Sequence, residues 1–135
     1  MPQMTITRTG RSGKPTLHGN TAIPNAFSGS DVYVDPVLST EGMSIVDVTF
    51  TPCARTHWHT HEKGQLLRVL AGSGWVCDKG EKPVKISKGD VVWCPAGTTR
   101  WHGADDESLM VHQATSFGAV EWGAEVADEE YKARK

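Results

Sequence analysis

Short apolar segments separated by turn residues constrain the fold of this chain more than any other feature. Segments such as 43–50, 65–71 and 91–94 are bounded by turns such as Lys88-Gly89-Asp90 and Pro95-Ala96-Gly97. Fourteen glycines and seven prolines supply these turns. Short strands at regular spacing are typical of β-sandwiches and barrels. Because 135 residues suffice for one core, we predict a single all-β domain, built as a closed antiparallel barrel or jelly roll.

Two segments at the chain ends have a different character. Residues 1–30 are polar and rich in Gly, Ser, Thr and Pro, and we expect an N-terminal arm with little regular structure before a domain at 31–135. Residues 128–134 place acidic before basic side chains, which the helix dipole favours, and predict a short C-terminal helix. The predicted strands between them are 31–38, 43–50, 56–60, 65–71, 75–78, 84–86, 91–94, 100–102 and 109–115.

Charge and cysteine content exclude several classes of protein. The chain has 16 acidic and 14 basic residues and a net charge of -2, which argues against nucleic acid as the main partner. No apolar run is long enough to cross a bilayer, and residues 1–14 have no apolar core like that of a signal peptide. We therefore expect a cytoplasmic protein without a membrane partner. Cys53, Cys77 and Cys94 form no recognisable pairing pattern and are expected to be reduced.

Three histidines alternate in one short segment, at His57, His59 and His61, and Gln65 follows. Alternate residues of a strand share a face, and neutral imidazole is a common ligand of divalent metals. Neighbouring positions on one face are roughly 6.6–6.8 Å apart, so two imidazoles can bind one ion, whereas three would spread over about 13 Å. The segment thus predicts a metal site that uses two of the three histidines.

Two motifs resemble those of the cupin superfamily. The first reads His59-Thr60-His61, three residues, Gln65, six residues and Gly72; the second reads Gly89, five residues and Pro95-Ala96-Gly97. Cys53 stands where the first motif begins with glycine, and Arg100 stands where the second ends with histidine. The resemblance spans about residues 43–115 and implies a single-domain jelly-roll β-barrel.

The sequence resembles one group of cupins more closely than the superfamily as a whole. Residues 54–65, 89–104 and 120–131 are similar to small single-domain cupins that include bacterial manganese-dependent hydroxynitrile lyases and carboxymuconolactone-decarboxylase-like proteins. This resemblance implies one divalent metal, manganese foremost, with iron, zinc or nickel as alternatives. The implied ligands are His59, His61 and Gln65, which leaves His57 at the barrel mouth; His112 takes the position of a proton-handling histidine.

Arg100 cannot replace the missing ligand, because a guanidinium has no lone pair to donate. In one interpretation His102, on the same face, is the fourth ligand, and Arg100 binds the carboxylate or enolate of a substrate. In the other, the metal site is incomplete and Arg100 fills the space. We prefer the first, although a hydrogen-bonded core role suits His102 and His112 equally well.

Three functions fit this site. The first is a metal-dependent lyase in which His112 or His102 moves a proton. The second is an iron-dependent dioxygenase, and the third is a non-catalytic cupin that binds a small molecule through Arg100. We expect an apolar cavity for a small substrate, lined by Val46, Val48, Leu67, Val69 and Met110, and Arg100 favours an anionic one.

We also expect a homodimer, with a tetramer as the alternative. Barrels of this kind pair through sheet edges, and the N-terminal arm together with Tyr33, Val34 and Trp122 would cover such edges.

Overall fold

Nearly all of the regular structure is β-strand, as expected. The computed structural model of the chain describes residues 3–7 and 15–134. Two short helices, α1 (Gly19–Ala22) and α2 (Asp128–Tyr131), accompany the strands. The strands are β1 (Leu17–His18), β2 (Phe27–Ser28), β3 (Val32–Thr40), β4 (Met43–Phe50), β5 (Arg55–Thr56), β6 (His59–His61), β7 (Gln65–Asp78), β8 (Val84–Ser87), β9 (Val91–Cys94), β10 (Arg100–Ala104), β11 (Met110–Phe117) and β12 (Val120–Trp122). The all-β class and the short C-terminal helix are confirmed.

The strands form one curled antiparallel sheet, a half-barrel. Its main path runs in the order β1-β3-β4-β11-β7-β10-β5-β2, and β6, β8, β9 and β12 pair beside this path. The first half of β7 pairs with β11 and β9, and its second half pairs with β10 and β8. This long strand therefore carries the sheet around the bend and leaves a concave interior.

The prediction of two strands at 65–71 and 75–78 is wrong, because β7 is continuous. Gly72 and Gly74 lie within it and allow close approach of other strands. A Cβ on Gly72 would lie 1.9 Å from the Leu109 carbonyl oxygen, and one on Gly74 would lie 2.1 Å from that of Gly103. Gly74 is therefore required by the close approach of β10, and Gly72 both by the Leu109 backbone and by its own φ of 72°, a left-handed conformation that favours glycine.

The histidine segment also differs from the predicted strand 56–60. It is split into β5 and β6, with His57 and Trp58 between them. On the partner strand β10, Gly103 pairs with Arg55 and Arg100 pairs with His59, so the histidine segment contains one extra residue. Such a bulge breaks the alternation. His57 accordingly contributes its backbone to the site and not its imidazole.

Part of the N-terminal arm has more structure than we expected. Residues 3–7, 15 and 16 are irregular, but β1 pairs with β3 and β2 pairs with β5. Ala26 and Gly19 are buried, and the ring of Phe27 packs edge-on against Phe50. This segment therefore belongs to the wall of the interior.

Three apolar clusters hold the described residues together, of which the smallest joins Leu67, Cys94 and Ala114; the two larger ones lie on opposite faces of the sheet. One lies inside the curled sheet and includes Val32, Phe50, Val69 and Met110. The other lies outside it and joins Trp58 and Trp101 to Val126 and Tyr131 at the C-terminal end.

The C-terminal helix is fixed by polar contacts as well. The Tyr131 hydroxyl donates to the Ala104 carbonyl oxygen at 2.6 Å, and the buried Arg55 bonds Asp128 at 2.7 Å. Within the described residues no helix is long and apolar enough to cross a membrane. The three cysteines are free thiols, as expected.

Candidate metal centre

His59 and His61 lie at the two ends of β6 and point into the curled sheet. Their side chains are buried, and their ring centroids are 5.1 Å apart with nearly perpendicular planes. The Nδ1 atom of His59 lies 2.9 Å from the backbone oxygen of His57. Because a carbonyl oxygen can only accept, the proton of neutral His59 is on Nδ1, and Nε2 keeps its lone pair.

Gln65, the first residue of β7, is buried beside this pair. Its Nε2 donates to the Ser116 hydroxyl at 3.0 Å, which fixes the orientation of the amide. The other amide atom, Oε1, accepts a long hydrogen bond of 3.4 Å from Nη2 of Arg100.

His102 and His112 form a second histidine pair next to the first. The His102 ring lies 5.0 Å from that of His59, measured between centroids. Its Nδ1 is 3.1 Å from Nε2 of His112, and both residues are fully buried. The Nε2 atom of His102 has no hydrogen-bond partner within residues 3–7 and 15–134. His102 therefore presents an unpaired nitrogen near the His59–His61 pair.

Burial keeps all four imidazoles neutral. It lowers the pKa of His59 to about 3 and the pKa values of His61 and His112 to about 4. The pKa of His102 is also lowered by burial, and then by the neighbouring histidines and Arg100. A metal binds only unprotonated imidazole, so the group is ready to act as ligands at neutral pH.

These histidines line a cavity of about 210 Å³. Val46 and Val48 contribute to its wall as predicted, whereas Leu67, Val69 and Met110 pack in the core and do not line it. Sequence reasoning missed an aromatic wall made by Phe27, Phe50 and Trp122, of which Trp122 has its ring centroid 5.0 Å from that of His59. Val34 is buried and Trp122 is half-buried at this cavity, so Val34 is not an exposed edge residue. The homodimer itself stays a prediction.

Arg100 lies outside the cavity that the histidines line. It is buried, and its Nη1 donates to the backbone oxygen and hydroxyl of Thr98 at 3.1 and 3.2 Å. It does not line the histidine cavity but a second one, which has a volume of about 650 Å³ and shares no lining residue with the first. The predicted site residues His59, His61, Gln65, His102 and His112 are therefore brought together, and Arg100 touches this group through Gln65.

The donor atoms of the cluster suit a divalent metal. His59 offers Nε2, and Gln65 supplies a carboxamide oxygen. Buried nitrogens of His102 (Nε2) and His61 (Nδ1) have no partner in the described part of the chain. Nitrogen and oxygen donors of this kind suit manganese, iron and zinc. Among the described residues no three His, Cys, Asp or Glu side chains are grouped closely enough to hold an ion as they stand. The chemistry therefore fits, and binding requires the rings to move together.

Comparison with known proteins agrees with this picture. Residues 46–113 match the family described as Cupin domain. The (R)-mandelonitrile lyase of Granulicella tundricola is 42% identical over 113 residues, covering 78% of this chain and 86% of that protein.

Solved structures agree as well. A cupin-like protein of Thermotoga maritima is 35% identical with a TM-score of 0.80, covering 88% of this chain and 95% of its own. A polyketide cyclase of Streptomyces resistomycificus has a TM-score of 0.72, with 95% and 92% coverage, but at 13% identity it shares only the fold. The resemblance inferred from the two motifs is confirmed: the chain belongs to the cupin superfamily and is similar to a hydroxynitrile lyase.

Proposed function

We propose that this cupin is a metal-dependent lyase that breaks or forms a carbon–carbon bond in a small hydroxy or carbonyl compound, as in hydroxynitrile cleavage. The observation that carries the proposal is the group of three buried neutral histidines, His59, His61 and His102, at one apolar cavity. The 42% identical relative, named a mandelonitrile lyase, supports the reaction class.

In the proposed centre, His59, His61 and Gln65 hold one divalent ion and His102 is the fourth ligand. Manganese is the ion that we expect. When bound, such an ion acts as a Lewis acid on a carbonyl or alkoxide oxygen.

The His102–His112 hydrogen bond decides which roles these two residues can have. If His102 gives Nε2 to a metal, its proton is on Nδ1 and is donated to Nε2 of His112. His112 then has its own proton on Nδ1 and is a positioning residue that acts through His102. If His112 were instead a base through Nδ1, its Nε2–H would donate to His102, whose Nε2 would be protonated and unable to bind a metal. We propose the first arrangement.

The size and the lining of the histidine cavity limit which substrates can bind. Its volume of about 210 Å³ lies below the range of roughly 300–1,000 Å³ that holds drug-sized ligands, so the substrate is small. The rings of Phe27, Phe50 and Trp122 exclude water and would pack against a phenyl group. In the cleavage of mandelonitrile the bond to the nitrile carbon breaks, the hydroxyl oxygen becomes the carbonyl oxygen, and the hydroxyl proton ends on cyanide. Arg100 lies outside this cavity and takes no part in the step.

The test combines elemental analysis with turnover. Purified protein should contain one manganese ion per chain and release benzaldehyde and cyanide from mandelonitrile. Chelation, His59→Ala and His61→Ala should each reduce release to the rate without enzyme, while His18→Ala, which changes an exposed histidine, should not. Oxygen uptake without cyanide release would instead identify a dioxygenase. Metal-loaded protein that binds but does not cleave hydroxynitriles would contradict the proposed lyase.

The tautomer assignment has its own test. His112→Gln retains an acceptor for the Nδ1–H of His102, whereas His112→Leu removes it. With His112 as a positioning residue, metal affinity falls in the leucine variant by about tenfold and is retained in the glutamine variant. If His112 were the base, both variants would keep their metal and lose turnover equally.

A further inference from the structure

Among the described residues two arginines are buried, and only one of them contacts a carboxylate. Arg55 has a counterion: its Nη2 bonds the Asp128 carboxylate at 2.7 Å and the Val126 oxygen at 2.9 Å, and its guanidinium lies over the Tyr131 ring, although its Nε has no hydrogen-bond partner among these residues. Arg100 is equally buried, at 2% exposure, yet no described carboxylate lies within 4.0 Å of it. The exposed Asp78, opposite Arg100 on β7, favours its charge only through space. A buried charge without a counterion in contact is costly, so Arg100 requires an explanation.

The hydrogen bonds of Arg100 leave two donors of its guanidinium unpaired or weakly paired. Nη1 is used by Thr98, and Nη2 makes a 3.4 Å contact with Gln65. Nε is buried and has no partner among the described residues. Nε and Nη2 form the edge that binds a carboxylate through two parallel hydrogen bonds.

The second cavity, which Arg100 lines, is suited to an organic anion. It has a volume of about 650 Å³, and Val76, Val92 and Trp93 supply apolar wall. Its other charged residues, Asp78, Glu81 and Lys82, are exposed. Cys94 adjoins Arg100, but burial raises the pKa of its thiol, so it is not a counterion.

The charge of the cavity distinguishes among anions. One buried guanidinium can balance one negative charge on a ligand. The exposed carboxylates of Asp78 and Glu81 would repel a second negative charge on the same ligand. An apolar body in the cavity also favours an organic molecule over an inorganic ion. A monocarboxylate therefore fits better than phosphate.

We propose that this cavity, which we call the Arg100 cavity, is a second ligand site that binds a small organic monocarboxylate on the Nε–Nη2 edge of Arg100. The site is separate from the histidine cavity and requires no metal.

The experiment is a titration of chelator-treated wild-type protein with benzoate, measured by calorimetry and by tryptophan fluorescence, to which Trp93 in the cavity wall contributes. Benzoate should bind, benzamide of the same shape should not, and phosphate should bind more weakly. Arg100→Gln should weaken benzoate binding by at least about tenfold, and Arg100→Lys, which keeps the charge but lacks the two-pronged geometry, should give an intermediate affinity.

A second pair of variants avoids changing a buried residue. Val84 lines the same cavity and is 61% exposed, so substitutions there should fold. Val84→Asp should weaken benzoate binding and Val84→Lys should strengthen it, each by about threefold at low salt.

The proposal would be overturned if the wild type did not bind benzoate, if benzamide bound equally well, or if the changes at both positions left the affinities unaffected. Binding that appears only when metal is added would place benzoate at the histidine cavity and would also overturn it. Because the readout is binding to metal-free protein, the result is independent of whether the lyase activity is found.

Discussion

Lowering the pH should destabilise the metal-free protein through its buried histidines. Folding holds the pKa of His59 at about 3 and those of His61 and His112 at about 4, mainly because of burial, against an ordinary value of 6.5. In the unfolded chain these side chains take up protons below pH 6.5 while the folded protein does not. The unfolded state then binds more protons, so the free energy of unfolding falls as the pH falls.

The size of the effect follows from the pKa values. At about pH 5 an unfolded histidine is more than nine-tenths protonated, and each of the three costs about 2 kcal/mol of stability relative to about pH 8. Together they cost about 6 kcal/mol, a large part of the roughly 5–15 kcal/mol that stabilises a typical domain. The loss begins as the pH falls through 6.5 and continues until the folded-state values near 4 and 3 are reached.

Urea denaturation in the presence of a chelator measures this loss. The urea midpoint should fall by about 3 M between about pH 8 and about pH 5. His61→Gln removes one titrating group and should reduce the loss by about 2 kcal/mol, whereas His18→Gln should leave it unchanged. A midpoint that is constant over this range, or an unchanged loss in His61→Gln, would refute the reasoning.

Other expectations concern single positions and the assembly. Arg100→His places an imidazole where related cupins have a ligand and should tighten manganese binding by about tenfold, as measured by electron paramagnetic resonance; an unchanged affinity would mean that this position does not reach the metal. Tyr131→Phe leaves the Ala104 carbonyl oxygen without its 2.6 Å partner and should lower the unfolding free energy by about 1.5 kcal/mol in urea. Gly74→Ala forces a Cβ against the backbone of β10 and should destabilise by about 3 kcal/mol, whereas Gly80→Ala, which has open space around its Cβ but a φ of 88°, should cost about 1 kcal/mol. Light scattering should give twice the chain mass of 14.7 kDa, since exposed Trp93 and neighbouring apolar side chains favour association; a single-chain mass at micromolar concentration would contradict the homodimer.

Strands bounded by clear turns could be predicted from the sequence, and others could not. β4 and β9 occur where the apolar pattern placed them, because each ends at a turn. The sequence predicts two strands in place of β7 because Gly72 and Gly74 suggest a local turn. Their actual role depends on backbone segments that are distant in sequence. β12 was missed because three residues carry no measurable alternation.

Some residues of the candidate site could likewise be predicted from the sequence, and others could not. Motif spacing was enough to predict that His59, His61 and Gln65 lie together. The bulge that removes His57 depends on pairing with β10, which local pattern does not reveal. The direction of Arg100 depends on how the interior is divided into two cavities, a property of packing and not of spacing.

The aromatic wall of the histidine cavity joins the two ends of the chain. Phe27 comes from β2 and Trp122 from β12, and their ring centroids are 6.0 Å apart. Both strands are short, and segments with few hydrogen bonds are the first to open in native proteins. Local opening of either strand would expose the histidines to solvent while the long strands stay paired. Substrate exchange would then follow the local stability of these end segments and not the global stability of the barrel, and amide hydrogen exchange at β2 and β12 should report its rate.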